Sequence, residues 1–127
     1  MKKATVWVEN WELECCGNAF KIGDTVSWDV SEAVTNTFPK VYTRDTDYFY
    51  NAHANMDDVV YKMDGVVLKI EAIYTLYELV ERTNIPTALR FESFDGKVYG
   101  QRLPPIDEYI FTGYVVHVEY ANDLVAV

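Results

Sequence analysis

The segment Asp24-Thr25-Val26-Ser27-Trp28-Asp29-Val30 decides how the fold is read. Val26, Trp28 and Val30 alternate with Thr25, Ser27 and Asp29. That period of two sets one face of a strand against a core and leaves the other to water. The same period recurs along the chain. Thr112–Ala121 places Tyr114, Val116, Val118 and Tyr120 on one face, and Val115, His117 and Glu119 on the other. Val66–Tyr77 places Val66, Leu68, Ile70, Tyr74 and Leu76 opposite Lys69, Glu71 and Thr75, with a helical turn admitted only over Leu76–Arg82. Ala4–Leu13 also reads as extended. Its buried face stays open, because Trp7 and Trp11 point opposite to Val6 and Val8.

Turn chemistry punctuates these runs. Val59–Met63 reads as a short strand closed by an Asp64-Gly65 turn, and Asn84-Ile85-Pro86 reads as a break. Ala88–Phe94 and Lys97–Leu103 flank Asp95-Gly96, which predicts a type I′ hairpin pairing Phe94 with Lys97 and Phe91 with Gly100. Asn36–Asp58 lacks alternation. There Thr43-Arg44-Asp45 is expected to cap a short helix reaching about Ala54, with Phe49, Tyr50 and His53 on one face. About six or seven strands with one helical excursion predict a mainly β fold. The expected form is a single antiparallel domain over residues 1–127, a small barrel or half-barrel, SH3-like as first choice. Val26, Trp28, Leu68, Ile70, Phe91, Val116 and Val118 are the expected core.

A chain of 127 residues buries roughly two-thirds of its unfolded surface on folding, so neither metal nor disulfide is required. Half of the residues are hydrophobic, which excludes a disordered tail. No run is long enough for a membrane span, and no signal-peptide pattern precedes Glu9. Adjacent Cys15-Cys16 would staple nothing distant if oxidised, which suits a reducing compartment, so a cytoplasmic setting is expected. The net charge of −9 repels phosphate backbones and anionic membranes. It favours a basic protein or a cation as partner, or serves solubility alone.

Two candidate sites follow. Cys15 and Cys16 with His53 offer the donor types that zinc prefers. Adjacent cysteines point apart in an extended chain and converge only through a tight bend, which Gly17 would supply. The alternative reading is a buried small side chain and a turn residue. A redox thiol would need a positive neighbourhood, which Glu12 and Glu14 oppose. His117 reads as a sheet-surface histidine. The second site is an acidic, tyrosine-rich surface of Asp45, Asp47, Tyr48 and Tyr50 for a basic protein partner, of the inhibitor or immunity type. A solvated acidic face is the alternative there, and Asp57-Asp58 turns apolar too soon for a calcium loop. Gly-rich phosphate loops, nucleophile elbows and paired-histidine helices are absent from the sequence. A non-enzymatic binding module is therefore expected, with a zinc domain on Cys15, Cys16 and His53 as the alternative. Carboxylates are scattered too evenly for a nucleic-acid mimic.

The run Val6-Trp7-Val8, Trp11, Cys15-Cys16-Gly17, Phe20, Ile22-Gly23-Asp24, Val26, Trp28 resembles the N-terminal signature of a small bacterial family of unknown function. Written as a pattern it is W-x3-W-x3-C-C-G-x2-F-x-[IV]-G-D-x-V-x-W. Tyr50-Asn51-Ala52-His53, Gly65-Val66-Val67 with Ile70, and Gly113-Tyr114-Val115-Val116 are similar to later parts of that family. The resemblance implies that the Cys-Cys-Gly turn is a family feature, which would bring Cys15, Cys16 and His53 into one site. It implies no activity.

Overall fold

The computed structural model describes residues 1–15, 18–32, 46–51, 59–121 and 123–125, with Cys15 by its backbone only. The elements are β1 (Lys2–Glu9), α1 (Asn10–Cys15), β2 (Thr25–Glu32), β3 (Tyr48–Tyr50), β4 (Tyr61–Val80), β5 (Thr83–Ser93) and β6 (Ile110–Tyr120). They form a six-stranded sheet in the order β2-β3-β1-β6-β4-β5, with a further pairing of β2 to β4. That last pairing closes β2, β3, β1, β6 and β4 into a ring of hydrogen bonds. β5 lies outside it, on the second half of β4. The fold is mainly β, as expected. Among the described residues no helix is long and apolar enough to cross a membrane.

The ring encloses one face of each strand. Val6 and Val8 of β1, Val26, Trp28 and Val30 of β2, Met63, Val67 and Ile70 of β4, and Tyr114, Val116 and Val118 of β6 form the core. Trp28 anchors it, edge-on to Phe20 at 5.0 Å and to Tyr50 at 5.3 Å between ring centroids. Such contacts contribute about 0.5–1.5 kcal/mol each beyond the area they bury. The open face of β1 is thereby settled, since both faces are covered. Val6 and Val8 point inward, while Trp7, with Ile73 and Val115, builds a second cluster outside, roofed by Phe49, Leu89 and Phe91.

Several sequence expectations are corrected. Leu68 is not core: it is 40% exposed while Val67 is 1%. The register between β4 and β6 shifts between Val67 and Lys69, so Leu68 is an extra residue and the alternation changes phase there. Asp64-Gly65 does not turn, and β4 runs straight through it. Gly65 pairs with Val26 on one side and Tyr120 on the other. A Cβ on Gly65 would lie 2.5 Å from Val118 Cγ1, so the glycine permits a close crossing of strands rather than a reversal. Asn84-Ile85-Pro86 does not break the chain either. Pro86 sits in the edge strand β5, opposite Tyr77 where the register shifts, a place that tolerates a missing N–H.

The turn between β4 and β5 is made by Glu81 and Arg82, with φ of 48° and 67°, where a helical turn was expected. The Asp95-Gly96 hairpin does not form. Phe94 turns into the core against Tyr114, and Val98 pairs instead with Phe20, their N–H groups donating to each other's carbonyls at 2.9 and 2.8 Å. Phe91 pairs with Ile73 rather than Gly100 and packs on the outer cluster. The extended reading of Ala4–Leu13 holds only to Glu9. From Asn10 the chain forms α1, burying Leu13 in the core and leaving Trp11 exposed. The helix expected to about Ala54 is overturned where the chain is described: Tyr48–Tyr50 is a strand.

Candidate functional site

Three consecutive aromatics, Tyr48-Phe49-Tyr50, suit a half-buried pleated surface better than a helix. They pair parallel to β1, with Val6 opposite Tyr48 and Trp7 opposite Phe49, and antiparallel to β2. This pairing fixes the residue just before the strand. Asp47 Oδ2 accepts from the Thr5 backbone N–H at 2.8 Å and from the Thr5 hydroxyl at 3.2 Å. The Asp47 N–H donates back to the Thr5 carbonyl at 3.1 Å. The carboxylate is exposed but held, so its charge is displayed at a set place on the rim.

Asp47 borders two clefts. One, of about 260 Å³, is lined by Lys3, Ala4, Glu32, Asp47, Tyr48 and Tyr120. Burial first, then the neighbouring Tyr120, Glu32 and Asp47, push the Tyr48 hydroxyl pKa above its ordinary value. Tyr48 thus stays a neutral phenol, able to donate and accept, at physiological pH. The second cleft, of about 310 Å³, is lined by Asp47, Leu68, Lys69 and His117 among others.

His117 Nε2 lies 2.9 Å from Glu71 Oε1, and Glu71 is only 7% exposed. The alternation had put His117 on the outer face, as found. Its partner was hidden because the pairing of Lys69 and Glu71 with β6 depends on the Leu68 bulge.

The residues named from sequence separate as follows. Asp47 and Tyr48 share the first cleft. Tyr50 does not reach it: the ring is buried against Trp28. Asp45, Cys16 and His53 lie outside the described residues, and Cys15 is placed only by its backbone, as the last residue of α1. Among the described residues no three histidine, cysteine, aspartate or glutamate side chains come together to hold a metal. The Thr5–Asp47 link and Glu32 were missed. Tyr48-Phe49-Tyr50 carried a usable signal for β3, but no sequence rule brings Asp47 to Thr5.

No curated protein and no solved structure matches the chain. A family model does, over residues 2–120, and it is described as Family of unknown function (DUF6578). The match begins at the first residue of β1 and ends at the last of β6, so it spans the whole ring of strands. The chain belongs to this family of unknown function.

Proposed function

We propose that the protein is a non-enzymatic binding module whose rim around Asp47 and Tyr48 receives a basic protein partner, in the manner of an inhibitor or immunity protein. The observation that carries this reading is the single cleft in which Glu32, Asp47, Tyr48 and Tyr120 meet. Two carboxylates there face one lysine, Lys3, within a chain of net charge −9. Amphipathic tyrosines beside fixed carboxylates supply contact area and charge complementarity together. Tyr50 takes no part, since its ring belongs to the core. The ring of pairings around a filled interior supports reading the fold as a small barrel; its SH3-like form rests on the strand pattern of the sequence.

The test is affinity capture with the full chain at low and high salt, beside an exposed-site variant, Glu32→Lys. The wild type is expected to retain a basic protein that salt releases and that Glu32→Lys fails to hold. Identical eluates from both proteins would overturn the proposal. Native mass spectrometry of the reduced chain tests the alternative, zinc on Cys15, Cys16 and His53, which requires one zinc mass per chain, lost on acidification.

A further inference from the structure

At the other end of β1, where the strand passes into α1, lies a cleft of about 260 Å³. Trp7, Trp11, Tyr77 and Phe111 form its aromatic walls, and Glu9 and Asn10 line it beside them. Asn10 is 7% exposed. Its Nδ2 donates to Glu14 Oε1 at 3.2 Å, and the same oxygen accepts from Arg102 Nε at 2.8 Å. A carboxylate only accepts, so the amide nitrogen must face Glu14 and the amide cannot be turned round. Oδ1 is consequently the atom left over, buried and without a partner among the described residues. Buried acceptors are nearly always satisfied, and one that is not calls for a donor.

Glu9 makes the same demand in charged form. It accepts one bond, from Trp7 Nε1 at 3.3 Å, and no cation among the described residues pairs with it. Burial holds its pKa above the usual carboxylate range. Arg102, the cation of the cleft, is engaged by Glu14. The Thr112 hydroxyl is already shared with the Thr75 hydroxyl, at 2.9 Å. The cleft therefore offers acceptors, a net negative charge and aromatic surface, with Arg102 Nε taken by Glu14 and Asn10 Nδ2 by the same carboxylate. An anion would meet two carboxylates. An uncharged apolar molecule would leave Glu9 and Asn10 as they are.

We propose that this cleft binds an organic cation, an alkylammonium or alkylguanidinium group, with Glu9 countering the charge, Asn10 Oδ1 accepting an N–H, and the aromatic walls covering the alkyl stem and facing the cation. Cations over tryptophan and tyrosine faces gain electrostatically when desolvated. The volume is several times the roughly 30 Å³ share of a liquid water, room for an amine of a few heavy atoms. The site uses none of the residues around Asp47, so it stands or falls apart from the proposed function.

The test is a titration of the ¹⁵N-labelled full chain with n-butylammonium chloride and n-butylguanidinium chloride, read at the indole N–H signals. Sodium chloride holds ionic strength constant, and butan-1-ol is the neutral control. Saturable shifts are expected at Trp7 and Trp11, with Trp28 in the core unmoved. Butan-1-ol is expected to bind at least about tenfold more weakly. Glu9→Gln is expected to weaken the cation by about tenfold or more, and Trp11→Ala, at an exposed position, to weaken it as well. Equal shifts from butan-1-ol, the absence of a saturable shift at Trp11 in the folded protein, or unchanged affinity in both variants would each overturn the proposal. Capped Gly-Lys-Gly and Gly-Arg-Gly distinguish the source of the cation. Binding as tight as the free amine assigns the cleft to a partner's side chain, and failure of the peptides while the amine saturates assigns it to a small free amine.

Discussion

Tyr114 is wholly enclosed, yet its hydroxyl has no hydrogen-bond partner among the described residues. Burial pushes its pKa well above the ordinary phenol value. Removing an unsatisfied buried hydroxyl recovers its desolvation cost, so Tyr114→Phe should raise stability by about 1 kcal/mol, read as a higher urea midpoint at unchanged slope. Gly113 works in the opposite sense. A Cβ there would run into the Val8 carbonyl oxygen, where Gly113 of β6 pairs with Glu9 of β1. Gly113→Ala should destabilise by about 1–3 kcal/mol in the same assay, because the opposing atom is backbone and cannot swing aside. Glu9 gives a pH signature. Its folded pKa is raised by burial, so its contribution to stability is present below the unfolded pKa and lost as pH rises through the folded one. Glu9→Gln should therefore be more stable than wild type at neutral pH. That advantage should fade as pH falls through the raised folded pKa and be gone below about 4, where both states of the wild type are neutral.

At the scale of elements, the β4–β5 hairpin turns on Glu81 and Arg82, both left-handed and neither glycine nor asparagine. That conformation costs roughly 1–2 kcal/mol per ordinary residue. Glu81→Asn with Arg82→Gly supplies the pair that a type I′ turn favours and should raise the thermal midpoint by several degrees, about 1 kcal/mol. Unchanged melting would show that the strands, not the turn, set the hairpin's stability. The same element explains why parts of the fold were hard to read. β2 was legible because its alternation is unbroken from end to end, and β6 because it alternates from Tyr114 to Tyr120, beyond the register shift at Thr112. β4 was half legible: its period is two on each side of Leu68, but one inserted residue swaps the faces, and a bulge leaves no mark in composition. Asp64-Gly65 and Asp95-Gly96 carried strong hairpin chemistry, and neither forms a hairpin. At Gly65 the absence of a Cβ serves a strand crossing. After Gly96 the chain is drawn to Phe20 instead. Tertiary pairing overrode local preference in both places.

Over the whole molecule, the candidate site was legible as residue types and not as a place. Asp47 and Tyr48 line one cleft, but the parallel pairing to β1 that gives them Glu32 and Tyr120 as company joins segments far apart in sequence. The net charge of −9 acts at this scale too. Raising ionic strength from about 0.01 M to about 0.15 M shortens the screening length from about 30 Å to about 8 Å, so the urea midpoint should rise as self-repulsion falls. A midpoint that drops would mean that exposed pairs such as Lys2–Asp123 outweigh the repulsion. The closing of the ring has a consequence for synthesis. β1 is made first, yet its full-length partner is β6, made last, with Lys2 opposite Tyr120 and Glu9 opposite Gly113. A ribosome-bound chain must hold the β1 edge, with Trp7 on one side and Val6 and Val8 on the other, unpaired along that border until Ile110–Tyr120 has emerged. The ring then closes in one late step rather than strand by strand, and a chain stopped before residue 110 should aggregate through its bare β1 and β4 borders instead of accumulating as a smaller folded protein.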